Sequence, residues 1–199
     1  MAHERAYGYV RGDGVAVAQP LFQEEGSGSI PTSPLQLVFR EIEPATACEL
    51  CALWHSRLPR IQELNIRMSP WACYAAEFDN GLYAVGIWSK PVARLLNDKP
   101  WIELRRLAIC DKAPKFTASR MLGWMAKQVK LKYPHLELAI SYQDTEVHTG
   151  TIYKASGWRP SDWQRLNGGR SWGGGLERPN RWRRKSQSEA IKVRWEKAL

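Results

Sequence analysis

The chain has 199 residues, 44% of them apolar and 25% charged, room for one domain with a proper core and the composition of an ordinary soluble globular protein. No apolar run approaches the ~18 residues that a membrane-crossing helix needs, and no segment resembles a signal peptide; the expectation is therefore no membrane partner and a reducing, cytoplasmic setting. The net charge of +9 is lopsided, because residues 159–199 hold eleven Lys or Arg against four Asp or Glu and so carry +7 of it. Such asymmetry points to a polyanionic partner, since each cation placed at a phosphate releases condensed counterions; a solubilising tail has the same composition.

Residues 1–34 contain Gly8, Gly12, Gly14, the run Gly26-Ser27-Gly28-Ser29 and three prolines, the composition of a flexible arm. Leu35 to Phe39 alternates as a strand does. Pro44 opens a helix at its favoured first position, with Ala47, Leu50, Cys51 and Trp54 on one face. His55, Ser56 and Arg57 follow at its end, before Pro59. Cys48 and Cys51 form a CxxC, but with no second such pair the four cysteines read as small core residues rather than half a zinc site. Trp71–Phe78 and Leu82–Trp88 are strands joined by Asp79-Asn80-Gly81, a turn that supplies the positive φ angles of a tight hairpin. Trp101–Cys110 is a further strand, broken by Asp111-Lys112-Ala113-Pro114. A long helix over Phe116–Lys132, a strand over Leu136–Tyr142 and a helix over Glu146–Ser156, ended by Gly157, complete the pattern.

This order predicts an α/β fold, a mixed central sheet flanked by helices, over residues 35–158. The flexible arm, 1–34, precedes it and a basic tail, 159–199, follows it. The tail is broken by Gly168-Gly169 and Gly173-Gly174-Gly175 and holds four of the ten tryptophans. Trp interleaved with Arg suits base stacking and phosphate pairing, so Arg181, Trp182, Arg183, Arg184, Lys185, Lys192 and Arg194 are the candidate DNA contacts.

The stretch from Glu103 to Trp158 carries the chemistry. A strand runs through a loop into a helix N-terminus at Ala113–Ser119, where backbone N–H groups and the helix dipole favour an anion. Thr117 and Ser119 are candidate hydroxyl donors there, although the loop has no glycine and Pro114 lacks an N–H; an ordinary capped helix fits the same residues. The closing run Tyr153-Lys154-Ala155-Ser156-Gly157-Trp158 is similar to the end of GNAT-superfamily acetyltransferases. That resemblance implies coenzyme A at the helix N-terminus and a Tyr153 that protonates the departing thiolate, its reference pKa of ~10 lying near that of a thiol. Tyr153 also reads as a half-buried amphipathic residue.

Longer runs resemble a narrower group. Ile140-Ser141-Tyr142-Gln143-Asp144-Thr145, Val147-His148-Thr149-Gly150-Thr151-Ile152-Tyr153-Lys154, Glu103-Leu104-Arg105-Arg106-Leu107-Ala108, Ala113-Pro114-Lys115, Ser119-Arg120 and His55-Ser56-Arg57 resemble the Mom family of phage adenine-modifying proteins. The resemblance spans about residues 35–158. It implies a GNAT-like fold, conversion of adenine in double-stranded DNA to its N6-carbamoylmethyl derivative, protection of phage DNA from host restriction, acetyl-CoA binding and an iron requirement. By position it implies catalytic roles for Asp144, Tyr153, His55 and Arg106, and cofactor contacts from Arg106, Thr117 and Ser119. Ser56 stands where some relatives carry a tyrosine and receives no role. His55, Asp144 and His148 are the residue types that can hold non-haem iron; Asp144 can equally accept the amine's proton or orient His55. Thioester attack alone would leave an acetamide on the base, whereas a carbamoylmethyl group needs a bond from the amine to a methylene carbon. Two other functions suit parts of the sequence. An N-acetyltransferase for a protein, RNA or small amine leaves the basic tail without a task, and a non-catalytic DNA-binding module leaves Asp144, His148 and Tyr153 without one.

Overall fold

Asp79 and Asn80 both take positive φ, 48° and 62°, and the hairpin they close lies within a mixed sheet. The computed structural model describes residues 8–10, 16–18, 29–55, 60–67, 69–161 and 192–199. In chain order its elements are β1 (Gly8–Val10), β2 (Ala16–Ala18), β3 (Val38–Glu41), α1 (Pro44–Trp54), β4 (Ala72–Phe78), β5 (Gly81–Ser89), β6 (Trp101–Ile109), α2 (Thr117–Lys132), β7 (Leu138–Asp144), α3 (Thr151–Ala155), β8 (Arg159–Pro160) and β9 (Lys192–Ala198). Strands β1 and β2 pair antiparallel with each other. The other seven form one sheet in the order β3-β4-β5-β6-β7-β9-β8, in which only β6 and β7 run parallel.

Alternation along the strands sorts side chains onto two faces. Ala72, Tyr74, Ala76, Ala84, Trp88, Ile102 and Leu104 pack with Met121, Leu122, Met125 and Val129 of α2. Cys73, Ala75, Val85, Ile87 and Ala108 pack with Ala47, Leu50 and Cys51 of α1 on the other face. Each fully buried Leu, Ile, Val or Met among these stabilises the fold by about 1.5–3 kcal/mol. Gly86 lies beneath α2 because a Cβ there would stand 2.3 Å from the sulfur of Met125.

The β5–β6 ladder slips by one residue. Ile87 faces Arg106 while Trp88 faces Leu104, leaving Arg105 as the extra residue of a bulge. The bulge shifts the phase of β6, so that Leu104 and Leu107, three apart, share the α2 face.

Three elements depart from the sequence reading. The helix expected over Glu146–Ser156 is only Thr151–Ala155, because Asp144 and Gly150 take the preceding backbone into turns. The sheet does not end at residue 158: β8 and β9 come from the segment read as a tail, and β9 is an interior strand. Its alternation, Val193 and Trp195 inward with Arg194 and Glu196 on the opposite face, is a strand period that the charges disguised. Within the expected arm two three-residue strands pair, and the strand expected from Leu35 starts only at Val38, because Pro34–Gln36 forms a 3-10 turn capped by Ser33.

Candidate active site

The site begins where β6 and β7 stop pairing. Their parallel ladder runs only from Trp101 opposite Leu138 to Leu104 opposite Ser141. Beyond it β6 remains paired with β5 as far as Ile109, and β7 with β9 as far as Asp144. The two strands thus keep their outer partners while their facing edges, 105–109 and 142–144, carry no ladder to each other. The parallel strands thus part as a fork beyond Leu104 and Ser141.

Tyr153 of α3 closes the apex of the fork. Its hydroxyl lies 2.9 Å from Ser141 Oγ, and Ser141 donates its proton to the carbonyl of Leu104 at 3.3 Å, so the tyrosine is the donor to the serine. The ring is 7% exposed. Burial pushes the Tyr153 hydroxyl above its usual range, and the bond to Ser141 partly opposes the rise. Trp195 of β9 stacks on the ring at 5.2 Å and 10°, and Trp158 meets it edge-on at 5.7 Å. The indole N–H of Trp158 is buried and has no hydrogen-bond partner among the described residues.

The 144–150 loop forms one side. Oδ1 of Asp144 accepts from the backbone N–H of Glu146 at 3.0 Å, and the Asp144 carbonyl accepts from His148 N at 3.0 Å. Gln143 donates its amide to the His148 carbonyl and accepts the Trp195 indole N–H at 2.7 Å. Gly150, at φ +77°, ends the loop where a Cβ would stand 2.6 Å from the Trp195 ring.

On the α1 face, His55 caps the end of α1 by donating its backbone N–H to Cys51 at 2.9 Å. Burial, then the nearby charges of Arg106 and His148, pull its imidazole down to about 4, so it is neutral at pH 7. Burial likewise pulls down the Arg106 guanidinium. Arg105 and Arg106 line a cleft of about 760 Å³ together with Cys48, Glu49 and the 60–65 segment. Glu103 steadies the bulge: it accepts from Val92 N at 2.9 Å and stands 3.7 Å from Arg105.

The structure therefore brings His55, Arg106 and His148 into one electrostatic neighbourhood and sets Asp144 and Tyr153 along β7 and α3 beside the fork. Other expectations change. Thr117 is buried and donates its hydroxyl to the Pro114 carbonyl at 2.7 Å, and Ser119 donates to Phe116 at 3.1 Å. Both hydroxyl protons are thus spent within the loop, and an anion at α2 would be met by the backbone of its first turn. Arg120 turns away to the carbonyls of Pro34 and Leu37, at 2.7 and 2.9 Å. No group of three His, Cys, Asp or Glu side chains able to hold a metal ion forms among the described residues. The set His55, Asp144 and His148 is not assembled as an iron site, and the Asp144 carboxylate caps a turn instead. Cys48 and Cys51 are pushed up to about 11, chiefly by burial, which keeps both as protonated thiols.

Two residues of the expected DNA-binding group lie in β9. Lys192 pairs with Asp144 and Arg194 with Tyr142. The Arg194 guanidinium is engaged by Glu196 at 2.6 Å and Ser161 at 2.7 Å. Ser56 and the remaining candidates, Arg181, Trp182, Arg183, Arg184 and Lys185, lie outside the described residues. Ser141, Gln143 and Trp195 escaped the sequence reading. The first two share a strand face with Ala139, a signal that alternation over Leu138–Asp144 contains.

A mixed sheet with α1 on one face, α2 and α3 on the other, and a fork between its two parallel strands is a GNAT-like, acyltransferase-type fold. Many solved acetyltransferases share it. A ribosomal-protein-alanine N-acetyltransferase from Brucella melitensis aligns with TM-score 0.56 and 10% identity over 82% of this chain and 100% of that one. A Bacillus subtilis acetyltransferase in complex with CoA gives 0.54 and 13% over 82% and 99%, and a GNAT-family acetyltransferase from Streptococcus pneumoniae 0.53 and 14% over the same shares. Within that class the chain matches the model of the Mom protein family over residues 78–165, and the resemblance read from the sequence is borne out. No curated protein matches the chain. No helix among the described residues is long and apolar enough to cross a membrane.

Proposed function

We propose that the chain is a transferase that modifies the exocyclic amine of adenine in double-stranded DNA, yielding the N6-carbamoylmethyl base and shielding the DNA from restriction. The observation that carries this reading is the Mom-family match, because residues 78–165 include the β6–β7 fork, Arg106, Asp144, His148 and Tyr153.

A coenzyme A-type thioester fits the fork: the facing backbone edges suit an extended arm with amide groups, and the first turn of α2 suits its phosphates. The Bacillus subtilis neighbour, alike in fold, binds CoA. Such a thioester would supply an activated two-carbon unit. The chain's own residues then divide the proton work. Tyr153 gives its proton to the departing group, and Ser141 can swing its own proton from the Leu104 carbonyl to the tyrosinate that forms. Beyond the thioester, the carbamoylmethyl product needs an amino-acid-derived donor, a glycine unit whose methylene carbon bears a leaving group: the amine nitrogen bonds to that carbon as the leaving group departs, and Asp144 accepts the proton the amine sheds. His55, kept neutral, offers the amine a hydrogen-bond partner without adding a positive charge. Arg106 stabilises negative charge that develops at the fork. No step is assigned to iron, since the expected ligands are not brought together.

Nucleoside mass spectrometry on DNA from bacteria expressing the full chain tests the reading. The expected result is carbamoylmethyl-deoxyadenosine. Acetylated protein or small amines with unmodified DNA would favour the N-acetyltransferase reading, which the shared fold also serves. Unmodified DNA with no acetylated product, in the presence of folded protein, would remove both.

A further inference from the structure

The geometry points to Trp195 as a positioning residue: from β9 it holds both the proton donor Tyr153 and the loop that carries His148. The inference rests on the role given to Tyr153 above.

Trp195 is 3% exposed and makes two specific contacts with the site. Its ring lies nearly parallel to that of Tyr153, centroids 5.2 Å apart, an arrangement that packs tightly and leaves the phenol little freedom to tilt. Its N–H bonds Gln143 Oε1 at 2.7 Å. An indole N–H can only donate, so this bond decides which way the Gln143 amide faces. The amide NH2 is thereby directed to the His148 carbonyl, which it does contact. Gly150 completes the arrangement: a Cβ at that position would lie 2.6 Å from Cζ2 of Trp195 and 2.7 Å from Oε1 of Gln143. One indole thus sets a ring on α3, an amide on β7 and the loop between them. A rigid, buried support of this kind holds reacting groups in register, and loss of it through a shift of about 1 Å can lower a rate by roughly 100-fold.

The two contacts are separable. Trp195→Phe keeps a ring against Tyr153 and removes the N–H. Trp195→Leu removes both. Gln143→Met leaves Trp195 in place and frees the His148 carbonyl. The full chain carrying isotope-labelled tyrosine is titrated with alkali by NMR, Tyr153 being assigned from the signal missing in Tyr153→Phe. Amide signals of residues 145–150 are followed in uniformly nitrogen-labelled samples of the same proteins, and DNA modification is measured in parallel by nucleoside mass spectrometry.

The expected outcome is that Trp195→Leu lets water reach the phenol and brings Tyr153 down towards its ordinary value. Trp195→Phe and Gln143→Met should leave that titration as in the wild type while shifting the loop amides. All three should lower modification, Trp195→Leu by roughly 100-fold. A wild-type Tyr153 titration in Trp195→Leu, or undisturbed loop amides in both other variants, would overturn the inference. Should Trp195→Leu fail to fold, Trp195→Phe and Gln143→Met decide it from the loop signals. A wild-type protein that makes no modified base removes the proposed function alone, because the titration and the loop signals need no substrate.

Discussion

The hydroxyls of Tyr153 and Ser141 lie 2.9 Å apart at the last paired position of β6 and β7, and Ser141 spends its own proton on Leu104. Tyr153→Phe therefore removes one donor but strands no buried proton. Its expected stability loss is about 0.5–1.5 kcal/mol, against a fall in modification of ~100-fold or more for a lost general acid. Denaturant melts and nucleoside analysis on the same preparation check the two. Near-normal modification would take Tyr153 out of the site.

Asp144→Asn isolates a charge. Oδ1 accepts from Glu146 N at 3.0 Å, a bond that an amide oxygen also makes, so the turn should persist. Modification should fall ~100-fold or more if the carboxylate takes a proton, with an unchanged melting curve. Full activity in this variant would leave Asp144 with the turn alone.

The low pKa of His55, about 4 against an ordinary 6.5, makes folding sensitive to acid. Below pH 6.5 the unfolded chain takes up a proton that the folded chain resists, so stability is present at neutral pH and is lost as pH falls from about 6.5 through about 4. The slope from this group is at most ~1.4 kcal/mol per pH unit, reduced by its partial contact with solvent. Urea midpoints for the wild type and His55→Gln should converge as pH falls across that window. Parallel curves would mean that His55 titrates normally.

Gly150→Ala places a Cβ at φ +77° and 2.6 Å from the Trp195 ring. The left-handed backbone costs about 1–2 kcal/mol, and the overpacking about 1–3 kcal/mol more. A melt unchanged from the wild type would show that the loop has room which the structure does not give it.

The hairpin, both long helices and strands β4 to β7 were legible because each rests on a local rule. Asn80 and Gly81 suit only a tight turn, and Ala47, Leu50 and Cys51 mark one helical face. Tyr153, Asp144 and Arg106 entered as candidates through family resemblance, and no local rule singles them out. What was missed is long-range. Trp195 lies 42 positions from Tyr153 and 52 from Gln143, and no periodicity joins them. The helix expected at 146 failed because the Asp144 side chain bonds the backbone ahead of it, a competition that short polar residues often win.

If the basic segment grips DNA, changing Arg181, Arg183, Arg184 and Lys185 together to Gln should make the plot of log affinity against log salt shallower by about three to four units, at −0.9 per phosphate contact. Lys192→Gln should change it by about one unit or less. Arg194→Gln is expected to act on stability, by about 1–3 kcal/mol, because its guanidinium is already engaged by Glu196 and Ser161. Anisotropy titrations on duplex DNA at several salt concentrations read the slopes. An unaltered slope in the fourfold variant would assign the grip to another surface.

The interior place of β9 sets the order in which the protein can be made. Strand β7 receives its second neighbour only when residues 192–198 leave the ribosome, about 2–10 s after Asp144 at synthesis rates of roughly 5–20 residues per second. Through that interval β7 presents an open edge, the kind of template on which chains associate wrongly. Tyr153 meanwhile lacks the stacked ring of Trp195. A message cut short before Lys192 would yield a chain with most of its sheet, an unguarded edge on β7 and no Trp195 ring against Tyr153.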